Sequence, residues 1–380
     1  MEKSLRLDRI KEQLAACGLN QATVAKRLGL SRAAVSKWFN GTAFPRPAEL
    51  LKFGKLLGLS FKELVDSGPG KTVPLVAFRK WAGTKTTIEH TEKASEMGRL
   101  LEALVPHVGF DRFVTPQRLK QPQLEYDYLQ ALVTKVRLEL GLSPTQPIGF
   151  EVLIKKFNEL QAVIVPVMWG HRSGHANALH IYLPSSQTTW ILLNLDSDLY
   201  DFKFWMAHEL GHVLSVSLLE SGDTEVAEDF ADAFAGALLF PQGAAKKWLP
   251  GYQSAKTIAS RAKVLKEAAT EFVISPFSVY KELEKLAQFE GTPFTALDQK
   301  YLHSEVSRFN QKVTTISEQM FDGDKPSADR YMRLADEWFD TPFFKALGQH
   351  VKKSEVSHSV ISRMLDIPLV DAREIHEALA

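Results

Sequence analysis

Residues 204–241 read FWMAHELGHVLSVSLLESGDTEVAEDFADAFAGALLFP. His208 and His212 bracket Glu209 in an HExxH arrangement, and a second apolar run carries Glu228 and Asp232. The pattern predicts a helix over roughly 203–218. On it the two histidines lie one turn apart on one face, so both rings can point at a single ion. Glu209 sits about 100° further round, able to reach water beside that ion without binding the ion itself. The flanking Phe204, Trp205, Met206, Val213, Leu214 and Val216 are apolar, which predicts burial. Two histidines and a glutamate inside a buried helix must be satisfied, and a divalent metal does this well.

Thr224 to Leu239 predicts a second helix that can fold back on the first. Glu228 and Glu225, nearly on one face of it, are both candidates for a third ligand. Asp232, one turn beyond Glu228, favours Glu228, because it is placed to accept the free ring N–H of His208 and fix its tautomer. Two imidazoles and one carboxylate leave an open coordination position, as in catalytic zinc sites, with Mn2+ the alternative to Zn2+. Glu209 is then the candidate general base for attack on a peptide carbonyl. His171, His175, His180 and Tyr252 are candidates for a second donor to the developing oxyanion.

Composition narrows the class. The 380 residues are 45% hydrophobic and 24% charged, ordinary for a globular chain of two or three domains. The net charge of +1 is unevenly spread: residues 1–66 hold twelve Lys and Arg against six Asp and Glu, so the remainder carries −5. A basic head points to nucleic acid. Cys17 is the one cysteine, which excludes an internal disulfide and a cysteine-based structural zinc site and fits a reducing compartment. No run approaches membrane-spanning length and no signal-peptide pattern opens the chain. The expectation is a soluble cytoplasmic protein with no membrane partner.

The head predicts a compact helical bundle. Asn20 caps a helix from Gln21 to Leu28, Gly29-Leu30 turns the chain, and Ser31 caps a third helix from Arg32 to Phe39. This is the helix-turn-helix plan. Arg32, Ser36 and Lys37 point outward on the third helix while Val35 and Trp38 can pack inward. Gln21 and Ser31 lie where phosphates would pass.

Gln21, Ala25, Gly29, Ser31, Val35 and Ser36 carry a pattern that resembles the XRE, or lambda-repressor-like, family. The resemblance implies double-stranded operator DNA as partner, with Gln21, Ser31, Arg32, Ser36 and Lys37 as contacts, bound as a homodimer. The acidic residue common after the recognition-helix aromatic is absent, since the chain reads Trp38-Phe39-Asn40-Gly41.

WILLNLDSDLYDFKFWMAHELGHVL and the following EDFADAFAGALLFP resemble the ImmA/IrrE family of metallopeptidases. The match runs from about Tyr126 to Pro241 and implies a gluzincin-like fold with His208, His212 and Glu228 as ligands and Glu209 as base. Members typically cleave a DNA-binding repressor after a stress or phage-related signal. Two departures stand out: the segment after about 290 is unmatched, and the basic residue upstream of the motif is only Lys203.

The expected architecture is multidomain. An all-α helix-turn-helix domain spans 1–66 and a linker or solvated connector spans 67–122, with a short strand near 73–78 and one helix from Glu92 to Leu104. An α+β zincin-like metallopeptidase domain spans 123–253, and a helical region spans 254–380. The tail SRMLDIPLVDAREIHEAL reads as a packing helix pair, with faint helix-turn-helix character. The function expected is a DNA-binding regulator with a metal-dependent endopeptidase that cuts a regulatory protein or its own linker. The alternative is a non-catalytic repressor or antitoxin whose peptidase-like body senses a ligand, peptide or metal.

Overall fold

A computed structural model describes residues 4–40, 42–66, 74–77, 88–109, 118–170 and 177–380. The chain forms two compact units, Met1–Val73 and Pro74–Ala380.

The first unit is built by local caps. Helix α1 spans Leu7–Ala16, α2 Gln21–Leu28, α3 Arg32–Phe39, α4 Pro47–Leu57 and α5 Phe61–Leu64. The Asn20 side chain accepts from Thr23 N at 2.9 Å while Thr23 Oγ1 accepts from Asn20 N at 2.8 Å, closing the start of α2 from both sides. Gly29 ends that helix at φ 69°, a left-handed conformation that glycine adopts without steric cost. Ser31 Oγ then accepts from Ala34 N and starts α3. Ile10, Val24, Val35 and Phe53 are fully buried, and Trp38 and Phe39 lean on the Phe53 ring at 5.9 and 6.4 Å. A pairing with no sequence signal ties the ends together: β1 (Ser4–Leu5) runs antiparallel to β2 (Val65–Asp66).

The second unit is organised on a four-stranded sheet. Its strands are β3 (Leu75–Ala77), β4 (Ala162–Val167), β5 (Ala178–Leu183) and β6 (Thr188–Asn194), in the order β3-β5-β6-β4. β4 and β6 run parallel, and the other pairs are antiparallel. Every residue of β4, β5 and β6 is buried, so both faces of the sheet are covered and the sequence shows no apolar–polar alternation.

Helix α6 (Ile88–Glu102) packs over Ile181, where Gly98 lets it approach Pro74 and the Ile181 side chain closely. Successive side chains of a strand face opposite ways, so His180 points to the other face. That face holds α9 (Leu199–Leu214), which follows β6, while α7 (Tyr126–Glu139) and α8 (Phe150–Glu159) precede β4. After α9 come α10 (Val216–Ser221), α11 (Thr224–Leu239), α12 (Gln242–Ser254), α13 (Ile258–Phe272), α14 (Pro276–Glu290) and α15 (Gln299–Asn310). The chain ends with α16 (Ile316–Phe321), α17 (Ala328–Phe339), α18 (Phe343–Ser354), α19 (His358–Leu365) and α20 (Leu369–Leu379).

Two expectations change. The region 67–122 is not all connector: β3 joins the sheet, and Ala94, Met97, Leu101 and Leu104 are core residues. Nor does the helical region after 253 stand apart. Thr341 Oγ1 donates to Ile164 O and Tyr331 OH to Pro166 O, covering carbonyls along the outer edge of β4, and Trp169 Nε1 donates to Leu365 O at 2.8 Å. An uncovered edge is a hazard, and here side chains from distant helices close it. The α19–α20 tail is a packed helix pair in the same core, with Ile361, Met364 and Ala372 buried. No described helix is long and apolar enough to cross a membrane.

Removing either cap strands a buried carbonyl. Thr341→Val and Tyr331→Phe should each lower unfolding stability by about 1–3 kcal/mol in chemical denaturation; an unchanged midpoint for both would show that these bonds do not hold the edge.

Candidate metal centre

The site is assembled from α9 and α11. Asp198 caps α9, its side chain accepting from Asp201 N at 2.9 Å, so the helix begins one turn earlier than the sequence pattern indicates. It ends at Leu214, and α10 follows as a separate helix. Asp223 caps α11 through Val226 N.

The two helices meet at Gly211. A Cβ there would lie 2.9 Å from the Ala231 Cα, so the small residue sets how closely α11 approaches. That approach carries Glu228 to the histidines. His208 Nε2 and His212 Nε2 are 3.0 Å apart, and Glu228 places Oε2 3.4 Å from the first and Oε1 3.4 Å from the second. Tetrahedral donors at about 2.0–2.1 Å from a zinc ion lie roughly 3.3 Å from one another, so the triangle has the size of one such ion.

The surrounding groups agree with that fit. His208 Nδ1 meets Asp232 Oδ1 at 2.9 Å, which places the ring proton on Nδ1 and leaves the Nε2 lone pair facing the triangle. Burial pushes the Glu228 carboxyl up, but bonds and charge from His208 and His212 outweigh it and hold the group well below the usual carboxylate range. Among the described residues these three form the one His/Cys/Asp/Glu group able to share an ion. Glu225 is exposed on α11 and is not in it.

Glu209 lies beside the triangle and outside it. The residue is 2% exposed, and its Oε2 has no hydrogen-bond partner among the described residues. Burial, then the Glu228 charge, pushes this carboxyl well above its ordinary range. The nearest group to Oε2 is His180 Nδ1 on β5, 3.4 Å away. His180 is fully buried, its ring 5.4 Å from that of His212, and burial followed by the neighbouring His212 holds its imidazole neutral.

The other candidate donors fare differently. His171 and His175 lie outside the described residues. Tyr252 is turned elsewhere: its hydroxyl donates to Thr295 O at 2.8 Å and its ring stacks on Phe294. Lys203 is also structural, with Nζ donating to Phe272 O at 2.7 Å and burial drawing its pKa down to about 7. A group with no motif to mark it in the sequence is Arg137, which is 1% exposed. It donates to the carbonyls of Leu238, Ser143 and Gln146 and anchors the end of α11.

In the first unit Gln21, Arg32 and Lys37 are exposed and Ser36 is half-buried, beside the buried Val35 and Trp38. Ser31 is exposed, with its hydroxyl accepting the α3 cap bond.

Residues 10–64 match the family model described as helix-turn-helix, and residues 166–273 match a peptidase-family model described as IrrE N-terminal-like domain. The chain joins an XRE-type helix-turn-helix to an IrrE/ImmA-like domain. The head is thus a DNA-binding domain. The IrrE-like match contains the whole His208–Asp232 constellation and continues through α13, whose last carbonyl holds Lys203. No curated protein matches the chain.

Three substitutions test the assembly without deleting a candidate ligand. Gly211→Val should part α9 from α11 and weaken zinc binding by more than tenfold, read by competition with a chromophoric chelator. Asp232→Ala should weaken it about 10–100-fold, and Glu225→Gln should leave it unchanged. Wild-type affinity in Gly211→Val would show that the helix approach does not set the site.

Proposed function

We propose that this protein is a DNA-binding regulator whose IrrE-like domain is a metal-dependent endopeptidase acting on another DNA-binding regulatory protein in a stress or phage-related response. His208, His212 and Glu228 hold the ion, Zn2+ or alternatively Mn2+; Asp232 orients His208; Glu209 is the general base. The observation that carries the reading is the division of labour between two carboxylates: half-buried Glu228 lies within 3.4 Å of both imidazoles, while Glu209 is buried beside them with an unpaired oxygen.

A divalent ion in the triangle would polarise a peptide carbonyl, acidify water and favour the ionised form of Glu209. Glu209 takes the proton from the attacking water and delivers it to the leaving amine. His180, neutral and 3.4 Å from that carboxylate, holds it in position. The head binds operator DNA as a homodimer through Gln21, Ser31, Arg32, Ser36 and Lys37.

One observation favours a second reading. His208, Glu209 and His212 are each at most 2% exposed, which also suits a body that senses a metal or ligand and does not turn over. Glu209→Gln separates the two. On the peptidase reading it keeps metal stoichiometry and operator affinity and cuts kcat/KM on a captured regulator by about 10²–10⁴-fold. If every regulatory output survives the substitution, the sensing reading stands.

The DNA contacts have their own readout. Lys37→Ala and Arg32→Ala, where they remove a phosphate contact, each reduce the slope of log K against log salt by about 0.9. A slope indifferent to both would place the DNA elsewhere.

A further inference from the structure

β3 belongs to the segment just before α6, yet it pairs in register with the strand beside the site. Leu75 lies opposite Tyr182, Val76 opposite Ile181 and Ala77 opposite His180. Directly opposed residues of an antiparallel pair share a face. Ala77 therefore sits on the His180 side, where His180 Nδ1 is 3.4 Å from Glu209 Oε2. On that face Ala77 is 3% exposed and packs with Leu219 of α10 and Ala227 of α11, the residue before Glu228. The two sides of the β5-β6-β4 core of the sheet are thus covered differently: β4 has side-chain caps from α17 and the turn after it, whereas β5 is covered by the three residues of β3.

An extended peptide adds to a sheet edge through main-chain bonds, with small pockets reading alternate side chains. We propose that the outer edge of β5 is the docking edge for the protein substrate and that β3 occupies it in cis, so a substrate binds by strand exchange. The occupant is an extended segment whose central residues are uncharged, with an apolar one opposite Tyr182 and a small one opposite His180, as Leu75 and Ala77 are. A larger side chain at the second position would meet Leu219 and Ala227. With β3 seated, His208, Glu209 and His212 are each at most 2% exposed, and its departure opens the way to them. Cleavage of the docked segment rests on the peptidase reading, but docking itself is measurable without turnover.

The test uses the full chain carrying Glu209→Gln, so that nothing is cut, and Cys17→Ser. The probe is a fluorescent peptide of residues 71–80, KTVPLVAFRK. Successive N–H groups of a strand point to opposite sides, so Val76→Pro with Ala77→Pro removes one ladder donor whichever way the bonds alternate. In a second variant, Val76→Cys and Ile181→Cys lock β3 to β5 when oxidised. Fluorescence anisotropy should show the proline variant binding at least tenfold tighter than the parent, the oxidised lock at least tenfold weaker than its reduced form, and a peptide with Ala77→Trp binding weakly to both. Equal binding by locked and reduced protein, or no binding by a folded proline variant, overturns the proposal; should the proline variant misfold, the lock alone decides. Restoring Glu209 in the reduced lock, with zinc added, then tests the chemistry separately on a captured regulator: one that docks and stays whole sinks the peptidase reading and leaves the docking edge intact.

Discussion

The second unit depends on one contact, the approach of α11 to α9 at Gly211. The two histidines are one helix turn apart on any helix, but a third donor must come from elsewhere and arrive within a few tenths of an ångström. With Ala231 against Gly211, Glu228 reaches both imidazoles at 3.4 Å and Asp232 reaches the back of His208 at 2.9 Å. Helix periodicity makes these two acidic residues arrive together, since they sit four apart on one face. Arg137, buried and bonded to Leu238 O, fixes the far end of the same helix. The packing that orients the donors thus comes from side chains that never touch an ion.

Burial acts on the two carboxylates with opposite results. Both are taken out of water, which costs any charge heavily. Glu228 recovers that cost from two imidazoles and stays ionised; Glu209 has no such partner and is driven towards its neutral form. Two acidic groups pushed apart in this way are suited to different tasks, one holding charge and the other exchanging a proton. His180 belongs to this arrangement through β5, which ties the chemistry of the helix layer to the sheet.

The sheet itself is small, and its stability depends on what covers its edges. Tyr331 and Thr341 come from the long region beyond the family match, which makes that region part of the same core. The opposite edge is filled by β3, a short piece of chain directly after the DNA-binding unit in sequence. An edge strand exposes unpaired main-chain groups, so the three strands β5, β6 and β4 need a cover at each side, and the one at β5 is a strand whose Ala77 lies on the His180 side of the sheet.

Much of this was legible beforehand where the signal is local. Asn20, Gly29 and Ser31 mark the ends of α2 and α3 because caps act within one turn. His208 and His212 declare a shared face through their spacing, and Asp232 favours Glu228 over Glu225 by the same periodicity. The covered sheet hid more. With β4 to β6 buried on both faces there was no alternation to say which side His180 takes, and nothing in its flanks distinguishes it from a packed histidine. Tyr252 looked equally eligible and is bonded elsewhere. The role of residues 75–77 was invisible because strand pairing joins distant residues through main-chain groups that every residue carries. By itself, then, the sequence determined the two domain types, the caps and the candidate donor set, all written in side-chain chemistry at short range. Tertiary structure alone decided that Gly211 admits α11, that His180 faces Glu209 and that β3 covers the edge beside them, because each depends on the distance between elements that periodicity cannot encode.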